Sequence, residues 1–133
     1  MAFVNLQKRV IQIVKNSGTE IEVVMGARSE DSPLPVISCH MVSAENFSVS
    51  LTDVFRISIE VKYEEHYADK STTDINDEFS SILDRFTIDN LVEELRIGGQ
   101  GIFNAEVQNV ATDTQGEVII NQFILEIISE RDP

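Results

Sequence analysis

A chain of 133 residues, 42% hydrophobic and 25% charged, has the length and composition of one folded domain, 1–133, and not of a disordered or membrane-spanning chain. Its 23 acids outnumber ten Lys and Arg, for a net charge of −13. Gripping nucleic acid or lying on an anionic membrane requires clustered cations, so this balance speaks against both. The charge is unevenly placed: residues 60–94 hold eleven acids and three bases, whereas the first nineteen hold Lys8, Arg9, Lys15 and no acid. An acidic surface of that kind keeps a protein soluble, and a polyanion would slide past it without sticking. The single cysteine, Cys39, sits in an apolar stretch with no internal disulfide partner and reads as a buried, reduced thiol. That usage points to the cytosol, where the sequon Asn46-Phe47-Ser48 would remain unmodified.

In chain order, Phe3, Val4, Leu6, Val10, Ile11, Ile13 and Val14 fall on one half of a helical wheel, which predicts an amphipathic helix over 3–15. Lys8, Arg9 and Lys15 lie within that periodic pattern, which is wrong for a signal peptide. Asn16-Ser17-Gly18 ends the helix. Thr19–Met25 reads as a short strand, and 26–33 as a polar loop too short to separate domains. Leu34–Met41 is a second strand, entered through Pro33 and Pro35. Val42–Asp53 is open between a short strand and an irregular crossing, with Phe47, Val49 and Leu51 alternating.

The clearest signal follows. Phe55, Ile57, Ile59, Val61 and Tyr63 alternate with Arg56, Ser58, Glu60 and Lys62, the period of a strand with one buried face. After a polar loop, Glu64–Ser71, the period changes to that of a helix carrying Ile75, Phe79, Ile82, Leu83 and Phe86 on one stripe. Thr72 or Thr73 is the expected cap, with Asp74, Asp77 and Glu78 favouring the helix dipole. This helix is expected to roof the strand before it. Ile88, Leu91, Val92 and Leu95 continue as a shorter helix, with Thr87 as its expected cap and Gly98-Gly99-Gln100-Gly101 as its end. Two strands, Ile102–Thr112 and Glu117–Ser129, close the chain as a hairpin around Asp113-Thr114-Gln115-Gly116. The second arm is apolar on both sides, so it is expected to be covered on both faces, by helices or by another subunit.

The fold class expected is therefore α+β: a single domain with a mainly antiparallel sheet, one face covered by an N-terminal helix and a central amphipathic helix, closing with a β-hairpin.

Motifs for chemistry are sparse. The glycine cluster 98–101 lacks the Gly-Lys-Ser/Thr of a phosphate cradle and leads into a strand. Tyr63-Glu64-Glu65-His66-Tyr67 carries one histidine among carboxylates, and His40 is the only other imidazole, short of the three or four convergent ligands a metal needs. Tyr63 and Tyr67 read better as contact residues. No serine or cysteine lies in a nucleophile motif, and no pair of acids stands out as an acid/base couple. The expectation is no enzyme, no cofactor and no metal.

The order of elements resembles the small tail-terminator, or tail-completion, proteins of long-tailed bacteriophages. The resemblance is strongest where Phe55-Arg56-Ile57-Ser58-Ile59-Glu60-Val61 leads through Thr72-Thr73-Asp74 into the Ile75–Phe86 helix. It extends more loosely over the amphipathic start, Leu34-Pro35-Val36-Ile37 and the closing hairpin. It is a likeness of pattern and length that neck and head-completion (connector) proteins share. The resemblance implies a structural virion protein of the tail or neck, assembled in the host cytoplasm. It implies a ring, typically a hexamer in that family, that caps the head-proximal end of the tail tube and joins it to the neck. Its partners would be further copies of itself, the tail tube protein and a neck or head-completion protein, with DNA passing through the lumen unbound. In that setting the loops Arg28–Ser32 and Glu64–Ser71 are expected to make contacts, through Arg28, Ser29, Glu30, Asp31, Tyr63, Glu64, Glu65, His66 and Tyr67. Lys8 and Arg9 on the basic first helix would meet the acidic 60–94 region of a neighbour, a head-to-tail contact of the kind that closes rings. The alternative of another class is a small ligand-binding or enzymatic α+β domain, with its site at the mouth between helix 75–86 and the sheet.

Overall fold

The computed structural model describes residues 3–27, 33–48, 51–96 and 101–130, with residues 51 and 52 described through their backbone alone. The elements run α1 (Val4–Lys15), β1 (Val23–Met25), β2 (Val36–Ser48), β3 (Leu51–His66), α2 (Thr72–Asp84), α3 (Leu91–Leu95), β4 (Ile102–Gln115) and β5 (Val118–Glu130). The strands form one sheet in the order β1-β2-β3-β5-β4. Every neighbouring pair is antiparallel except β1 and β2. The expected α+β class holds, with its N-terminal helix, central helix and closing hairpin.

Strand β3 is the centre of this arrangement. Its alternation places Ile57, Ile59, Val61 and Tyr63 on one face, where each is almost wholly buried. Register brings them beside Ile127, Leu125, Phe123 and Asn121 of β5, and beside Ala44, Met41, Cys39 and Ile37 of β2. The helices cover this face. Leu6, Val10, Ile13 and Val14 of α1 and Ile75, Phe79 and Ile82 of α2 join the same apolar cluster. Phe123 sits between the rings of Phe79 and Phe86, with centroids 6.1 and 5.3 Å away.

Local chemistry sets the helix ends. The Ser17 hydroxyl donates to the Val14 carbonyl at 2.6 Å, and Gly18 follows in the left-handed region at φ 86°. The α2 cap is Ser71, one residue before the threonines expected, and its hydroxyl accepts from the Asp74 N–H at 3.2 Å. Helix α3 begins only at Leu91, and the Thr87 hydroxyl donates back to the Asp84 carbonyl instead of capping it.

Three expectations are corrected. Of the segment open between Val42 and Asp53, residues 42–48 belong to β2 and 51–53 to β3, because the two strands stay paired out to Ser48 and Leu51; residues 49 and 50 lie outside the described residues. The loop after β3 is shorter than expected: Glu64, Glu65 and His66 remain in the ladder opposite Ile120, Ile119 and Val118. Finally, among the described residues the helices cover β5 on one face only, so any cover of the other by helices is not found there. Ile119, Phe123, Leu125 and Ile127 point into the core, whereas Ile120, Ile124 and Ile128 face the other side of the sheet and stand outside the core cluster.

The packing predicts a graded response to truncation. Phe79→Ala should cost about 3–5 kcal/mol through loss of its place against Phe123. Leu83→Ala, at a half-buried position, should cost distinctly less. Urea unfolding midpoints of the two variants test this order.

Candidate functional site

A helix layer on one side leaves a sheet face on the other, and alternation dictates what that face carries. Arg56, Ser58, Glu60, Lys62 and Glu64 point outward from β3, with Ile120, Gln122, Ile124, Glu126 and Ile128 beside them on β5. The charges are paired along the face: Arg56 with Glu45 at 3.9 Å and Glu126 at 3.6 Å, and Lys62 with Glu60 at 3.4 Å. Such exposed pairs add little stability but fix a pattern of sign on the surface.

At one end of this face lies a hollow of about 370 Å³ lined by Phe47, Val54, Phe103, Asn104 and Ile128. The Arg56 guanidinium stands over the Phe47 ring, 5.5 Å from its centroid. Phe47 and Phe103 are 41% and 56% exposed, uncommon for phenylalanine in a lone subunit. Val42 and Val110 are exposed to a similar degree and sit at irregularities in the ladders of β2 and β4.

A second concavity, of about 640 Å³, opens at the mouth between α2 and the sheet and is lined by Gly18, Glu20, Ile21, Glu22, Pro35, Glu65, Lys70 and Glu78. Glu65, Lys70 and Glu78 of this lining are engaged within the chain. The Thr19 hydroxyl donates to Glu78 Oε1 at 2.7 Å, and the buried Tyr63 hydroxyl donates to Glu65 Oε1 at 2.8 Å. Lys70 Nζ lies 3.9 Å from the same carboxylate. Among the described residues no three His, Cys, Asp or Glu converge to hold a metal ion. The acidic lining differs from the mostly apolar wall of small-molecule sites.

The residues expected at contacts are thus dispersed. Arg28, Ser29, Glu30 and Asp31 lie outside the described residues. Tyr63 and Glu65 lie inside the subunit, 1% and 4% exposed, because β3 continues past them; Glu64 is also buried. Tyr67 is exposed at the end of the sheet, where its N–H donates to the Glu117 carbonyl at 3.1 Å, and His66 is half-buried beside it. Lys8 is exposed, but Arg9 is spent within the subunit: its Nε donates to the Glu94 carbonyl at 2.6 Å, joining α1 to α3. That bond reaches a backbone carbonyl and not a carboxylate, so it occupies Arg9 without pairing it with an acid of the 60–94 region. Sequence reasoning missed Phe47, Val54 and Phe103 as surface residues. The four-residue spacing of Ile120, Ile124 and Ile128 on the second face of β5 was the available signal for the face they share.

The molecule so described is a single α+β domain whose helices roof one side of a five-stranded, mostly antiparallel sheet. No protein-family model and no curated protein matches the sequence. The fold is similar to that of a chain in the virion of a native gene transfer agent (GTA) particle, at a TM-score of 0.62 and 10% identity, covering 93% of each chain. At that identity the likeness is one of fold.

Two interior groups predict the alkaline behaviour. Burial pushes the Cys39 thiol up from 9.0 to about 12. Burial first, and then the Glu65 carboxylate, raise the Tyr63 phenol above its ordinary 10.0. Unfolded, both groups lose their protons near their ordinary values, while the folded protein keeps them. Their contribution to stability is therefore intact below about pH 9 and declines as pH rises toward 12. Cys39→Ala and Tyr63→Phe should each flatten that decline in urea unfolding at pH 8 and pH 10. Tyr63→Phe should also cost about 1–3 kcal/mol at pH 8, since it deprives the buried Glu65 of its donor.

Proposed function

We propose that this chain is a structural, non-catalytic protein of a phage-like virion. In this reading it is a tail terminator, whose copies form a ring on the head-proximal end of the tail tube and join it to the neck while DNA passes through. The observation that carries the reading is a fold shared over nearly its whole length with a virion chain of a gene transfer agent particle. The surface supports it. Much of one sheet face, with Ile124 and Ile128 half-buried and the Phe47–Phe103 hollow open, is left without a helix by the described elements and stays available to other virion proteins. The acid excess suits a passage that must not hold DNA.

The test uses purified protein with isolated tail tubes lacking a terminator. Electron microscopy should show rings seated on one end of each tube, and tube length should cease to grow once they are bound. Rings that bind filled heads but ignore tubes would move the assignment to the neck. A protein that stays monomeric and binds neither would discard the virion reading.

A further inference from the structure

The two sides of the sheet end in strands with open backbone, and the ladders show how those strands are placed relative to each other. On one side, β1 covers β2 only as far as the pair Met25–Cys39, so β2 beyond that point has no strand beside it among the described residues. On the other side, β4 is the outermost strand. Open edges usually carry lysine or proline that discourages pairing. Neither Met41–Glu45 nor Asn104–Gln108 contains a Lys, an Arg or a Pro; each carries one acid, Glu45 or Glu106, and a ladder irregularity at or beside it.

The pairing of each strand with the next can be followed across the sheet. Ala44 lies opposite Ile57, Ile57 opposite Ile127, and Ile127 opposite Ala105. In the same way Ser43 leads through Ser58 and Glu126 to Glu106, and Met41 leads through Ile59 and Leu125 to Val107. The open part of β2 and the first half of β4 therefore stand in register across the sheet, on opposite sides of the molecule. Their regular stretches overlap over Ser43–Glu45 and Asn104–Glu106. The irregularities fall at Met41/Ser43 and Asn46/Ser48 on β2, and at Ile102/Asn104 and Gln108/Ala111 on β4. The second β4 irregularity, where Asn109 takes φ 54°, occurs about where β1 begins to cover β2 on the far side.

Direction completes the match. Successive antiparallel pairings of β2, β3, β5 and β4 leave β2 and β4 running opposite ways. A copy related by rotation about an axis along the strands keeps its strand directions, so its β4 arrives antiparallel to the first copy's β2. Antiparallel ladders are slightly the more stable kind per residue. A closed ring has no rise between copies, so it brings together edge stretches of equal height.

We propose that copies of this chain join by sheet continuation, with Asn104–Glu106 of one copy pairing antiparallel with Ser43–Glu45 of the next. The contact is heterologous, two different edges meeting, and it repeats around a ring. Level pairing sets Ala44 opposite Ala105 and Glu106 opposite Ser43, so no two acids meet directly. Phe103 and Phe47, exposed in the lone subunit, come to lie beside the seam. The proposal rests on the ring reading above and names the surface that would build the ring.

Thiol crosslinking tests it in the full chain, with tail tubes present. Ala44→Cys and Ala105→Cys are substitutions at a small exposed and a small half-buried position, and directly opposed cross-strand residues are close enough for a disulfide. The natural chain, whose one thiol is buried, is the control. Under mild oxidation, a mixture of the two single variants should give a covalent dimer that neither gives alone, and the double variant a ladder of multimers. Dimer from Ala44→Cys alone would mean like edges meet and would overturn the proposal. Rings seen by electron microscopy without a mixed dimer would overturn the edge contact and leave the ring standing. Absence of any assembly would overturn both.

Discussion

The pairing of β3 with β5 is the constraint on which the other elements depend. Thirteen residue pairs run without interruption from Val54–Glu130 to His66–Val118, the only long pairing among the described residues with no irregularity. Its register is set mainly by β3. A slip of one residue in β5 would bring Gln122 and Glu126 inward but would still present Ile120, Ile124 and Ile128 to the core. A slip in β3 would exchange Ile57, Ile59 and Val61 for Ser58, Glu60 and Lys62 there. The alternation in β3 thus decides which isoleucines of β5 meet the helices, and so which of them are left outside.

The connections then explain why only one face is roofed. Strands β3 and β4 lie on either side of β5 and run in the same direction, so the chain between them must cross the sheet rather than turn back on itself. Helices α2 and α3 are that crossing, and Phe79 and Phe86 anchor it on Phe123 of the strand it passes over. Helix α1 packs on the same side, tied to α3 by the Arg9–Glu94 contact. No described helix remains for the opposite face, which keeps a mixture of ion pairs and isoleucines.

Most of this fold was legible where a residue pattern had one physical cause. Apolar period fixed α1, β3 and α2, and the change of period after Ser71 marked the crossing correctly. Boundaries failed where tertiary pairing extended a strand through polar residues. Glu64 and Glu65 look like loop residues locally, yet β5 supplies partners that hold them in the ladder, and Tyr63 gives Glu65 a buried donor. The same cause took Tyr63 and Glu65 from the surface. The hollow between Phe47 and Phe103 was not legible, because it joins residues from β2, β3, β4 and β5 that only the full sheet order brings together. The doubly apolar character of β5 was legible, but not which of its faces the chain itself would cover.

The location of the negative charge bears on how a ring wall would be built. Asp74, Asp77, Glu78, Asp84, Asp89, Glu93 and Glu94 all belong to α2, α3 and the turn between them, with Arg85 as the one base among them. The excess therefore sits in the helix layer, whereas Arg56 and Lys62 offset much of the acid on the sheet face. Contacts through either face would have to bury one of these surfaces, and burying the helix layer would bring like charges together. Contacts through the edges bury neither. In the proposed ring, neighbours meet side by side, the acidic helices form one surface of the wall, and the isoleucines of β5 form the other. A wall of that kind can repel a polyanion on its helical surface while its sheet surface stays free to pack against protein.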